Sequence, residues 1–536
     1  MKRLLGGSLA AAAALLLTGL FTGAAHATTP NCSEPYALCA ETVDSIGYGG
    51  EYTGHDEPSL LFYSNTPGSG NSNLYNLRLP TDPKVLPNQA GTAGTWNFQL
   101  HPAFWLGMAL CDNQSGPEFT QAPCTPDSDS NIFDGTDPAA PDYIGKHPGT
   151  AFLELQFYPP GWAPWPPGVS CDASQWCAAM AIFSFNSDQN AGVNNNASCL
   201  NSVGVEPVNF AFITASGAPH APPSPLGATN GTFTPSPATD LFMSSGDKLE
   251  VDIHDAAAGL TTIIRDRTTG QTGSMTASAA NGFAQVLFEP TAGACHQAPY
   301  TFRPMYATSS EHTRVPWAAH NYNVAFSDEI GHFEYCSAVT EEGGECTANG
   351  EPALDGDDDG CFSAAFSLFV PIGGCIASDA DFDGTSYQRV WPGTDPNRGQ
   401  DAKYHPTAVT FTSPLFNATQ NYSRVAFETD LPRIEAPDSG GICDRFTGAN
   451  CVNPPPGSNF YPIYTTGSST QNPSANGHCV WQFGGPYIKG TTNTFGGNSA
   501  AEFGPLLFTV YPNPNPAIRR RTNNFRNVLG SNPCPA

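Results

Sequence analysis

Charge is scarce in this chain. Only 13% of its 536 residues are Asp, Glu, Lys or Arg, about half the usual share for a soluble domain. Bases are scarcer still, with 21 Lys and Arg against 48 Asp and Glu, a net charge of −27. Nucleic acid is therefore excluded as a natural partner, and an anionic membrane surface is a poor anchor, because both need a cationic face. No stretch beyond the first 27 residues approaches the roughly 18 apolar residues of a membrane-spanning helix, so no transmembrane segment is expected in the mature chain. Several catalytic signatures are also missing. Without C-x-x-C there is no basis for a zinc knuckle or a thioredoxin-like site. Without H-E-x-x-H and G-x-S-x-G, neither the zinc protease helix nor the α/β-hydrolase elbow is present.

What is there points to export. Lys2 and Arg3 precede an apolar stretch from Leu4 to Phe21, and Ala25, His26 and Ala27 form a small-residue cleavage pattern. Residues 1–27 read as a secretory signal peptide, and the mature chain as secreted and extracellular. All 16 Cys lie beyond that point. In an oxidising compartment an even number of cysteines reads as disulfide staples. Local candidates are Cys32 with Cys39, Cys111 with Cys124, Cys171 with Cys177, Cys336 with Cys346, and Cys443 with Cys451.

The dominant local pattern has period 2. Leu153, Leu155 and Phe157 alternate with Glu154, Gln156 and Tyr158; Leu249, Val251 and Ile253 alternate with Glu250, Asp252 and His254. Gly-containing turns follow, at Ala256 to Gly259 and Thr268 to Gly270. Such runs predict an antiparallel meander, and no later stretch holds helical periodicity over three turns. The expected fold class is all-β, an antiparallel β-sandwich or jelly roll with long Pro- and Gly-rich loops. The Pro-rich stretch 216–239 reads as a linker, because proline fixes φ and removes a backbone donor. The expected organisation is then a β-sandwich domain over 28–215, a second β region over 240–340, an Asp- and Cys-rich insertion over 341–398, and a C-terminal β region over 399–536 that packs with the second.

Two loops in the insertion carry metal-binding spacing. Asp355, Asp357 and Asp359 precede Gly360, and Asp379, Asp381 and Asp383 precede Gly384, each in the order D-x-D-x-D-G. Alternate carboxylates on a tight turn converge on a hard cation, and calcium accepts six to eight oxygens. The twelfth positions hold Phe366 and Val390 rather than Glu, so neither loop is a complete EF-hand. Structural calcium is expected there. The competing reading is a solvated acidic turn.

Two constellations are candidates for chemistry. If the leucines of the strand at 151–158 face the core, Glu154 and Gln156 share the opposite face with Phe152 and Tyr158. Trp162 and Trp165 follow on a proline-stiffened loop. Aromatic faces stack on sugar rings, and carboxylates bind hydroxyls or carry acid–base work. The plain alternative is an ordinary solvent-facing strand with the tryptophans over its rim. The second constellation is Asp328 to Cys336, where His332 and Glu334 are two residues apart and suit an acid–base pair or a metal site. His254 with Asp252 and Asp255 reads as exposed polar decoration on a turn.

Together these features lead to the expectation of a glycan-acting hydrolase with Glu154 and Glu334 as its paired carboxylates and His332 tuning one of them. Gln156, Tyr158, Trp162 and Trp165 would bind a polysaccharide substrate. The alternative is a non-catalytic, calcium-stabilised carbohydrate-binding or cell-surface protein, which needs no catalytic pair.

Overall fold

The computed structural model describes residues 59–64, 66, 68–79, 104–115, 150–158, 171–172, 174–188, 193–304, 325–328, 336–339, 346–349, 409–429, 464–467, 480–483, 506–510, 521–528 and 532–534. They form an all-β fold of antiparallel sheets with very little helix. The strands that carry the core are β1 (Ser59–Tyr63), β2 (Ser72–Arg78), β3 (Phe104–Cys111), β4 (Thr150–Tyr158), β5 (Gln175–Phe183), β6 (Val208–Phe212), β7 (Lys248–Ala256), β8 (Gly259–Asp266) and β9 (Thr272–Ala277).

Among the described residues one ten-stranded sheet runs from Leu506–Val510 through Arg521–Val528, Arg424–Thr429, β1, Ala325–Asp328, β3, β4 and β5 to β6, with Met243–Ser244 pairing β5 off this path. A nine-stranded sheet runs from β9 through β8, β7, β2, Thr410–Phe411 and Val480–Phe483 to Tyr464–Gly467, with Leu415–Phe416 pairing β2 and Gln420–Asn421 off this path. Their inner faces meet in one core. Leu106, Leu153, Leu155, Met180 and Ile182 come from the first sheet, and Tyr75, Leu77, Val251, Ile253, Ile264 and Met275 from the second. This is two-layer sheet packing, with each strand's alternate side chains turned inward.

The period-2 pattern of β7 is realised as read: Leu249, Val251 and Ile253 are buried, while Glu250, Asp252 and His254 are half-buried on the other face. The turn at Ala257 and Ala258 pairs Ala256 with Gly259 and sets the register of the whole β7–β8 hairpin. Gly259 takes φ 130°, and a Cβ there would stand 2.9 Å from the Ala277 carbonyl oxygen, so both the turn and the close approach require glycine.

The Pro-rich stretch 216–239 lies against the outside of β6 instead of separating two cores. The Phe210 amide donates to the Pro223 carbonyl at 2.9 Å. His220 stacks on Phe212 at 5.6 Å between ring centroids, and Phe233 lies 5.1 Å from Phe210. His220 Nδ1 meets the Asp240 carboxylate at 2.7 Å, which ties the two ends of the strap together. Strands from both sides of this stretch share each sheet, so the boundaries expected at 216 and 239 do not divide the described residues into separate units.

One end of the sandwich closes through a buried polar network. Asp112, fully buried just after β3, accepts from the Gln114 amide at 2.9 Å, from Gln285 Nε2 at 2.7 Å and from Ser184 Oγ at 2.8 Å. Burial pushes its carboxyl pKa up against the lowering effect of these bonds. Nearby, Asn196 caps the helix α1 (Ala197–Val203) by accepting from the Cys199 amide at 3.0 Å. It also donates to the carbonyls of Glu289 and Ala294 at 3.0 and 3.1 Å. A disulfide between Cys199 and Cys295 fastens the same junction. That pairing spans 96 residues and no local spacing suggests it. The pairing of Cys171 with Cys177 is as expected.

Candidate functional site

Glu154, Gln156 and Tyr158 do share one face of β4, as the alternation implies, but that face is not open to solvent. Glu154 is 2% exposed, Gln156 6% and Tyr158 3%. This corrects both the solvent-facing strand and the open cleft expected from the sequence. The physical reason is cross-strand neighbours: Glu154 lies between Gly107 and Ala181, and Gln156 between Trp105 and Ala179. The small residues make room for the longer polar chains within a largely apolar layer. There the polar groups bond to one another. Tyr158 Oη donates to Gln156 Oε1, and Gln156 Nε2 donates to Glu154 Oε2 at 2.5 Å. The Tyr158 ring meets Phe210 edge-on at 6.2 Å. A buried row of this kind specifies sheet packing and leaves no carboxylate at the surface for a ligand.

Glu334, His332, Trp162 and Trp165 lie outside the described residues, as do Asp355, Asp357, Asp359, Asp379, Asp381 and Asp383. Among the described residues no group of three or more His, Cys, Asp or Glu side chains is placed to hold a metal ion.

A different constellation lines an open groove of about 650 Å³ on the outer face of the second sheet. β7 supplies Glu250, Asp252, His254 and Asp255; β8 and the turn after it supply Arg265 and Arg267; β2 and the 3-10 helix before it (Ser69–Asn71) supply Ser72 and Asn71. The rim is the hairpin turn at Asn417 and Ala418, both in the left-handed region at φ 51° and 59°. The hairpin register sets Glu250 opposite Arg265, and the β2 pairing sets His254 opposite Ser72.

The groups in the groove hold one another in place. Arg265 Nη1 donates to Glu250 Oε1 at 2.9 Å and lies 3.6 Å from Asp252 Oδ2. Arg267 takes the other Glu250 oxygen. His254 Nδ1 meets Asp252 Oδ1 at 2.9 Å, and Arg303 Nη1 donates to Asp255 Oδ1 at 2.7 Å. The hydrogen bond to Asp252 raises the His254 pKa above its ordinary value against partial burial. Asp252 feels burial most, which raises its pKa, but the bond to His254 and the charges of His254 and Arg265 outweigh it and hold the carboxyl below the usual range. These side chains are planar, oriented and partly desolvated, a fitting lining for a polar ligand.

Asp252 and His254 therefore sit on a strand in a charged network, not on a decorative turn. The sequence contains the signal that finds their partners. A two-residue turn between Ala256 and Gly259 makes position 265 the neighbour of 250 by counting back along the hairpin. No protein-family model, no curated protein and no solved structure matches the chain, so the site itself carries the functional reading.

Proposed function

We propose that this chain is an exported, non-catalytic binding protein whose ligand is a carbohydrate, held in the groove formed by β2, β7 and β8. The observation that carries the reading is the groove of about 650 Å³ with its fixed polar lining, a size typical of sites for small molecules. Sugar hydroxyls both donate and accept, and oriented guanidinium, imidazole, amide and hydroxyl groups answer them. Export is supported by the signal-like first 27 residues and by the disulfides. Calcium at Asp355, Asp357 and Asp359 and at Asp379, Asp381 and Asp383 belongs to the same proposal, on the spacing of those loops alone.

A hydrolase needs one carboxyl kept protonated beside another that is ionised. In the groove, Asp252 is pushed the wrong way for an acid, and both Glu250 oxygens are taken by guanidinium groups. Glu154 is buried against Gln156. These facts weigh toward binding over turnover.

The test incubates the full-length protein with a panel of polysaccharides, measuring both retention and released reducing ends. Retention that Arg265→Gln abolishes, with no release, is the expected result. Release of oligosaccharides that Glu154→Gln abolishes would replace the reading with the hydrolase, and retention unaffected by Arg265→Gln would remove the groove from it.

A further inference from the structure

We infer that the groove selects a singly anionic sugar, one whose carboxylate is taken by His254 and the arginines beside it. The inference rests on the binding reading above and names the class of ligand. It begins from which hydrogen-bonding groups of the groove are already used. Both oxygens of Glu250 accept from Arg265 and Arg267, Asp252 holds His254 and faces Arg265, and Asp255 holds Arg303. Each of the three carboxylates is thus engaged by a cationic side chain of the protein. The donors are not all engaged. Among the described residues, His254 Nε2 and the Ser72 hydroxyl make no protein hydrogen bond, and the contacts of Arg265 use Nη1, leaving Nη2. Arg267, 56% exposed at the side chain, is the most open of the group. A groove whose carboxylates are already engaged and whose His254, Ser72 and Arg265 donors are spare favours a ligand that brings acceptors.

Charge sets how many negative groups that ligand carries. The facing groups are Glu250, Asp252 and Asp255 on β7, Arg265 and Arg267 from β8 and its turn, and Arg303 against Asp255. Three carboxylates balance three guanidiniums, so imidazolium at His254 is the one surplus charge. The rest of the chain, at net −27, repels a polyanion over longer range. A sugar with one carboxylate and several hydroxyls fits: the carboxylate meets the His254 and arginine donors, and the hydroxyls meet Asn71, Ser72 and Asn417. Charge-assisted hydrogen bonds of this kind are worth roughly tenfold or more each in affinity.

The pH dependence follows from His254. Its pKa is raised in the folded protein by Asp252, so the imidazolium persists past about pH 6.5 and is lost as pH rises through the raised value. Asp252 stays ionised throughout that window.

The deciding experiment is isothermal titration of the full-length protein with D-galacturonic acid and, separately, with D-galactose. The acid is expected to bind about tenfold tighter than the neutral sugar at about pH 5.5 and to lose most of that advantage at about pH 8. His254→Gln should remove both the advantage of the acid over galactose and its pH dependence. Arg267→Gln, at an exposed position, should weaken the acid more than galactose and covers the case of a misfolded His254 variant. Equal affinity for the two sugars, or a preference that both variants retain, overturns the acidic specificity and leaves the groove as a neutral-sugar site. Binding of neither sugar overturns the acidic specificity; persistent polysaccharide retention in Arg265→Gln would then remove the groove from the binding reading as well.

Discussion

Asp247→Asn should make this protein more stable at neutral pH. Asp247 lies in the turn before β7 and is buried at 4% exposure, and Asp266, at the far end of β8, is buried at 1%. Their carboxyls are within hydrogen-bonding reach of each other. Burial, chiefly, and the neighbouring Asp266 charge raise the Asp247 pKa above its ordinary 3.8. Asp266 is the partner that must stay, because it accepts from the Thr268 and Thr269 amides at 2.7 and 3.1 Å and from the Thr269 hydroxyl at 2.6 Å, organising the turn. An asparagine at 247 keeps its oxygen for the Ser244 amide, now accepted at 2.6 Å. Its amide nitrogen then donates to Asp266 where two like charges met before. Replacing repulsion by a hydrogen bond to a charged group is worth about 1–2 kcal/mol. The sign with pH follows from proton binding. A carboxyl with a raised native pKa binds protons more tightly folded than unfolded, so the wild type loses stability as pH climbs from about 4 through the raised value. The substitution removes that loss. Its gain should therefore be full at about pH 7 and fade toward about pH 4. Thermal melts of both proteins at the two pH values read this directly, with an increase of roughly 2–4 °C at pH 7. A lower melting temperature at pH 7, or the same gain at both values, would refute the account of this pair.

Other consequences are as direct. Thr262 faces the core from β8 between Ile253 and Met275, and among the described residues its buried hydroxyl has no hydrogen-bond partner; Thr262→Val should stabilise by about 1 kcal/mol in chemical denaturation. A Cβ at Gly273 would stand 2.9 Å from both Ile213 Cγ2 and Leu241 Cβ, so Gly273→Ala should cost about 1–3 kcal/mol in the same assay. Removing the Cys199–Cys295 bridge, which spans 96 residues, should cost about 4–5 kcal/mol, against about 2 for Cys171–Cys177, which spans 6. Paired Cys→Ser variants compared by denaturation should show the long bridge as the larger loss, and the reverse order would argue against the loop-entropy account.

Much of the architecture was legible in residue order. The alternation of Leu249, Val251 and Ile253 with Glu250, Asp252 and His254 reports one buried and one wetter face, because a strand turns its side chains alternately. The turn at Ala257 and Ala258 likewise fixes which residues of β7 and β8 are neighbours. Alternation alone did not reveal what covers the second face. In β4 it separated Leu153 and Leu155 from Glu154 and Gln156, yet both faces are buried.

By itself, then, the sequence determined the all-β class and the inward set of each alternating strand, and offered Cys171–Cys177 among its local bridge candidates, all of which depend on near neighbours in the chain. Only the tertiary structure decided that Glu154 is enclosed, that the Pro-rich stretch straps β6, that Cys199 meets Cys295, and that His254 shares a groove with Ser72 and Asn417. The physical reason is one of range. Alternation and turn chemistry act over a few residues, whereas enclosure depends on strands and loops distant in the chain, Cys199 and Cys295 being 96 positions apart, brought together by the burial of apolar surface.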